Sequence, residues 1–116
     1  MIQVAEELSA ITDALNRWLD PMPRRGTYLD LILKTLPHIQ CSDGFTMSVQ
    51  AGRGLHCSPR NNDGPWTAVE VGFPSAKSDL LMDYAEDSEK PTDTVYGYVP
   101  ITTVARVILE HGGFAP

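Results

Sequence analysis

The apolar positions of this chain change their period once, near residue 45, and the two halves predict different structures. Ahead of that point Val4, Leu8, Ile11, Leu15 and Trp18 recur at spacings of four, three, four and three. Such spacings set them on one stripe of a helix near residues 2–20, with Glu6, Glu7, Asp13 and Arg17 outside it. Pro21 and Pro23 end the helix, because the residue before a proline is pushed toward extended backbone. A second helix is expected near 27–36. Thr27 can cap it, Asp30 can reach back from the third helical position, and Leu29, Ile32, Leu33 and Leu36 line it before Pro37. Residues 1–44 therefore read as a helical hairpin.

From Phe45 the period is two. Phe45, Met47, Val49 and Ala51 alternate with Thr46, Ser48 and Gln50, which predicts a strand at 45–51, and Gly52 and Gly54 then mark a bend or bulge. Within residues 58–65, SPRNNDGP, all but Arg60 are types that fix φ, tolerate positive φ or bond their own backbone, so they form a built loop. A strand at 66–73 follows, with Val69, Val71 and Phe73 on one face and Trp66, Ala68, Glu70 and Gly72 on the other. Beyond Pro74, Ser78 can cap a short helix holding Leu80, Leu81 and Tyr84. The next strand, 94–99, alternates Thr94, Tyr96 and Tyr98 with Val95, Gly97 and Val99. Pro100 opens a final helix near 101–111, lined by Ile101, Val104, Val107 and Ile108 and stopped by Gly112 and Gly113.

The expected fold class is α+β in one domain, residues 1–116. An N-terminal helical hairpin precedes a small, mainly antiparallel three-stranded sheet, with the C-terminal helix packed on one face and residues 45–113 as the sheet-plus-helix core. The helix-bearing connection between the second and third strands also permits a parallel crossover, so strand order stays open.

Composition narrows the function classes. At 116 residues the chain can bury a core of its own without metal or disulfide. No apolar run approaches a membrane span, and the first ten residues carry acids where a secretory signal would carry Lys or Arg, so a cytoplasmic protein with no membrane partner is expected. Two cysteines, Cys41 and Cys57, read as reduced thiols. The net charge of −6 is concentrated in residues 79–93, where six carboxylates face Lys90 alone. That disfavours direct nucleic-acid binding, which needs clustered Lys and Arg.

Few residue sets could carry chemistry. His38, Cys41, His56 and Cys57 match zinc in number, but neighbours on an extended chain point opposite ways, so no metal or other cofactor is expected. A Cys–His nucleophile lacks an orienting third group, and no catalytic residue is assigned. His111 sits in the last turn of a helix, where the dipole accounts for it. Arg60, among Asn61, Asn62 and Asp63, could bind a carboxylate, a phosphate or a partner backbone, or else pair with Asp63 or Glu70. Trp66, Tyr96 and Tyr98 are either core or an aromatic platform. The acidic window is either a solvated loop or a surrogate for a phosphate backbone offered to a basic groove.

Residues 47–113 also resemble small uncharacterised proteins encoded by tailed phages and prophages. The resemblance is carried by Cys57, Pro59, Arg60, Asn62, Gly64, Pro65, Glu70, Gly72 and Pro74, then an acidic stretch, then Thr94, Val95, Tyr96, Val99 and Pro100. It implies an accessory protein, a class in which many members bind and disable host machinery, anti-CRISPR inhibitors among them. The function expected is thus non-enzymatic binding that inhibits or modulates a host protein, such as a nucleic-acid-processing complex of the CRISPR effector type. Its partner-binding candidates are Arg60, Asn62, Asp63, Trp66, Asp83, Glu86, Asp87, Glu89, Tyr96 and Tyr98. The alternative is a self-associating structural or regulatory protein, a dimer whose interface is the N-terminal helices.

Overall fold

The amphipathic stripe of the first helix is buried as its spacing requires. In α1 (Ile2–Leu19), Ile11, Leu15 and Leu19 are buried while Glu6, Glu7, Asp13 and Arg17 face solvent. Leu8 and Trp18 pack half-buried at the margin. The computed structural model describes residues 2–19, 37–51, 55–59 and 65–116. The helix expected at 27–36 lies outside them, and so do Arg60, Asn62 and Asp63.

Among the described residues four strands form one sheet, not three. β1 (Ile39–Gln40), β2 (Thr46–Gln50), β3 (Ala68–Gly72) and β4 (Val95–Pro100) lie in sequence order, each antiparallel to the next. The parallel crossover is therefore absent from this sheet. β1 escaped the pattern because two residues cannot show a period. Its turn specifies it instead: the Cys41 N–H donates to the Phe45 carbonyl at 2.8 Å, the Gly44 N–H to the Cys41 carbonyl at 3.0 Å, and the Phe45 N–H to Asp43 Oδ1 at 2.9 Å. Gly44 holds φ at 96°, a left-handed value that glycine adopts without strain.

One face of the sheet builds the core. Met47, Val49, Val69, Val71, Tyr96 and Val99 are buried in a single cluster with the α1 stripe and with Ile101, Val104, Val107 and Ile108 of α2 (Ile101–Glu110). α2 ends as its glycines predict, Gly112 and Gly113 at φ 87° and 86°, with the Gly113 N–H donating to the Ile108 carbonyl at 2.9 Å. The chain then returns to β1, where the Ala115 N–H donates to the Gln40 carbonyl at 2.8 Å and covers that edge. Between β3 and β4 the expected capped helix is a single 3-10 turn, Met82–Tyr84, with no side-chain cap bond. Leu81 ahead of it is fully buried and ties the segment to the core.

Strict alternation fails twice. Val69 pairs with Val99 but Val71 with Tyr96, so Gly97 and Tyr98 together oppose Glu70 in a β-bulge. The extra residue shifts the parity: Tyr96 and Val99 face the core, and Tyr98, at φ 53°, is turned outward. Phe73 leaves β3 at φ 49° and is exposed, although its spacing puts it on one face with Val69 and Val71, which are buried.

Candidate functional site

The outer face of the sheet is built from small side chains, and a loop crosses it. Around Gly72 the nearest outward neighbours are Ser48 and Val95. Residues 55–59 end beside β3, where the Ser58 N–H donates to the Ala68 carbonyl at 2.9 Å and the Ala68 N–H returns the bond at 3.2 Å. They reach β4 at the bulge, where the Tyr98 N–H donates to the His56 carbonyl at 2.9 Å. The crossing is tight over Gly97, where a Cβ would lie 3.1 Å from the Cβ of His56. A glycine inside a strand pattern signals a bulge or a close backbone approach, and Gly97 marks both.

Four side chains meet at this crossing. His56 Nδ1 lies 3.2 Å from Glu70 Oε1 and 3.9 Å from Glu86 Oε1. The imidazole tilts against Tyr98 with ring centroids 5.7 Å apart. Glu70 is mostly covered, with 17% of its side chain exposed, whereas Tyr98 is 42% exposed. The sequence offers Glu70 as a partner for Arg60, not for His56. Cys57, next to His56, is buried, and its thiol donates to the Pro59 carbonyl. His56 is exposed and Cys57 buried across a tight turn, in which the Cys57 N–H donates to the Leu55 carbonyl at 2.9 Å.

Beside the crossing the acidic segment is tied down by its own backbone. The Glu86 N–H donates to the Val95 carbonyl at 3.0 Å, the Asp87 N–H to Thr94 Oγ1 at 3.1 Å, and the Glu89 N–H to Asp87 Oδ1 at 3.0 Å. Bonds from the Lys90 N–H to the Asp87 carbonyl and from the Asp93 N–H to the Lys90 carbonyl close the next turns. The Tyr96 hydroxyl reaches through from the core and donates to the Pro91 carbonyl. Asp83, Glu86, Asp87 and Glu89 are all exposed, so a fixed loop holds their carboxylates in water.

Two of the expected binding residues are corrected by this arrangement. Trp66, at 2% exposure, is not part of an aromatic platform. Its backbone N–H donates to Asn16 Oδ1 at 2.6 Å, so α1 clamps the chain just ahead of β3. Tyr96 is fully buried, and burial pushes its phenol above the ordinary range. Tyr98 alone of the three is open to a partner. Asn16 was not identified in the sequence, because a polar residue between Leu15 and Arg17 on a helix looks like any solvated position.

His111 and Cys41 meet at the turn between β1 and β2. His111 closes α2 with its ring stacked on Phe45 at 4.0 Å and its Nδ1 2.7 Å from Asp43 Oδ2, a partnership that the helix dipole alone did not imply. The Phe45 N–H first, and His111 second, hold the Asp43 carboxyl below the usual carboxylate range. Burial, aided by Asp43, pushes the Cys41 thiol up. Among the described residues no group of three or more His, Cys, Asp or Glu could hold a metal ion. No described helix is long and apolar enough to cross a membrane. No family model, curated protein or solved structure matches the chain.

Proposed function

We propose that this chain is a non-enzymatic accessory protein that binds a basic protein partner through its outer sheet face and acidic loop, and so inhibits or modulates it. A host protein that handles nucleic acid has the surface such a loop fits, as the resemblance to phage accessory proteins implies. The observation that carries this reading is the hydrogen-bonded fixation of residues 86–93, because a stand-in for a phosphate backbone must hold its charges in register before the partner arrives. A merely solubilising loop has no need of such bonds. The burial of Ile11, Leu15 and Leu19 within the chain favours this reading over self-association, since it removes those side chains from an intermolecular seam.

The test replaces Asp83, Glu86, Asp87 and Glu89 by their amides and compares proteins captured from bacterial lysate at low and high salt. Stability should hold, since surface changes seldom exceed about 0.5 kcal/mol each. Capture of basic proteins should fall in the variant, and in the wild type as salt rises, because exposed charges are screened over roughly 8 Å at physiological ionic strength. Equal capture by both forms at both salts would overturn the proposal.

A further inference from the structure

The two edges of the sheet are covered in unequal ways. Beside β4 the cover is anchored: the Glu86 N–H donates to the Val95 carbonyl at 3.0 Å, Ala85 bridges Tyr96, and the fully buried Leu81 holds the segment to the core. Beside β1 the cover is residues 113–116. Among the described residues they are held to β1 and its turn by two backbone bonds, from the Ser42 N–H to the Gly113 carbonyl at 2.9 Å and from the Ala115 N–H to the Gln40 carbonyl at 2.8 Å. The Ser42 hydroxyl adds a bond to the Phe114 carbonyl at 3.1 Å. None of residues 112–116 is buried, and Phe114 is 39% exposed. A groove of about 390 Å³ runs along them, lined by Trp18, Ile39 and Phe114 among others, so close packing stops short of the ring.

We infer that residues 113–116 form a strap that opens about Gly113 while the rest of the domain stays folded, baring the β1 edge and the Cys41 thiol. Up to the Gly113 N–H the chain is fixed. The His111 ring stacks on Phe45, its Nδ1 lies 2.7 Å from Asp43 Oδ2, and the Gly113 N–H donates to the Ile108 carbonyl. At Gly113 itself φ is 86°, a value glycine leaves and regains without the clash a Cβ imposes. Segments with few buried apolar contacts and solvent-exposed backbone bonds open well below the global stability. Cys41 lies beneath the strap, because it bridges Phe114 and residues directly opposite on antiparallel strands share a face. With the strap closed Cys41 is 2% exposed, and burial first, then Asp43, raise its thiol above the ordinary range. Opening returns that thiol to water, where more of it is thiolate. It also frees the Ser42 N–H and the Gln40 carbonyl, the kind of groups through which a sheet edge accepts another strand.

Pulsed alkylation with N-ethylmaleimide, read at Cys41 and Cys57 by peptide mass mapping, measures the opening in the full chain. A strap exposes little surface, so the Cys41 rate should stay nearly flat across low urea and exceed the Cys57 rate on the order of tenfold or more. Gly113→Ala disturbs the closed strap alone: a Cβ there meets no atom within 4 Å, but φ 86° disfavours it. That variant should raise the Cys41 rate on the order of tenfold and leave Cys57 unchanged. Both thiols reacting together, at rates that climb steeply with urea, would overturn the strap. So would equal acceleration of both by Gly113→Ala, no acceleration of either, or a wild-type Cys41 that reacts as fast as in the unfolded chain.

Discussion

The two faces of the sheet obey different rules. On the inner face Met47, Val49, Val69 and Val71 follow strict alternation, every one is fully buried, and volume and apolarity decide what fits. On the outer face the side chains are small or polar, a loop lies across them, and backbone geometry decides where each group points. The bulge and both left-handed aromatics lie where side chains turn outward.

This contrast can be broken first on the inside. Leu15 has no exposed surface, so Leu15→Asp should unfold the protein, an unpaired buried charge costing several kcal/mol. A folded, soluble variant by circular dichroism would mean that the α1 stripe is not core. An intermediate effect is expected where the loop crosses. Gly97→Val sets branched methyls where even a Cβ stands 3.1 Å from His56, and should cost about 1–3 kcal/mol in chemical denaturation while the inner core stays native. Wild-type stability in that variant would show that the loop does not press on β4. The smallest effect has the opposite sign. Tyr98→Gly removes a side chain from a left-handed position that costs an ordinary residue about 1–2 kcal/mol, so stability should be kept or raised by up to about 1 kcal/mol. A clear loss would show that the ring is packed rather than displayed.

The same contrast explains what could be read from the sequence. Helix and strand positions facing the core repeat every 3.6 or two residues because burial selects them, and α1, β2, β3, β4 and α2 were legible to within a few residues. β1 is specified by the turn at Asp43 and Gly44 rather than by its own two residues. Tyr98 and Phe73 obey alternation in sequence and violate it in space, because one inserted residue or one positive φ reverses a side chain without changing the pattern of letters. The outer site was legible only in fragments. Tyr98, Glu86 and the acidic run stand out as residue types, whereas the meeting of His56 with Glu70 depends on a loop crossing that no local spacing encodes.

The order β1-β2-β3-β4 also bears on how the protein assembles. Each strand pairs with the next along the chain, so the sheet can close through a series of local steps, whereas α1 must come from the opposite end of the chain to meet α2 and to clamp Trp66 through Asn16. Closing the longer loop carries the larger entropic cost. If α1 docks last, its contacts are absent from the folding nucleus, and weakening them mainly hastens unfolding while leaving the folding rate alone. Weakening β3, at the centre of the meander, does the reverse.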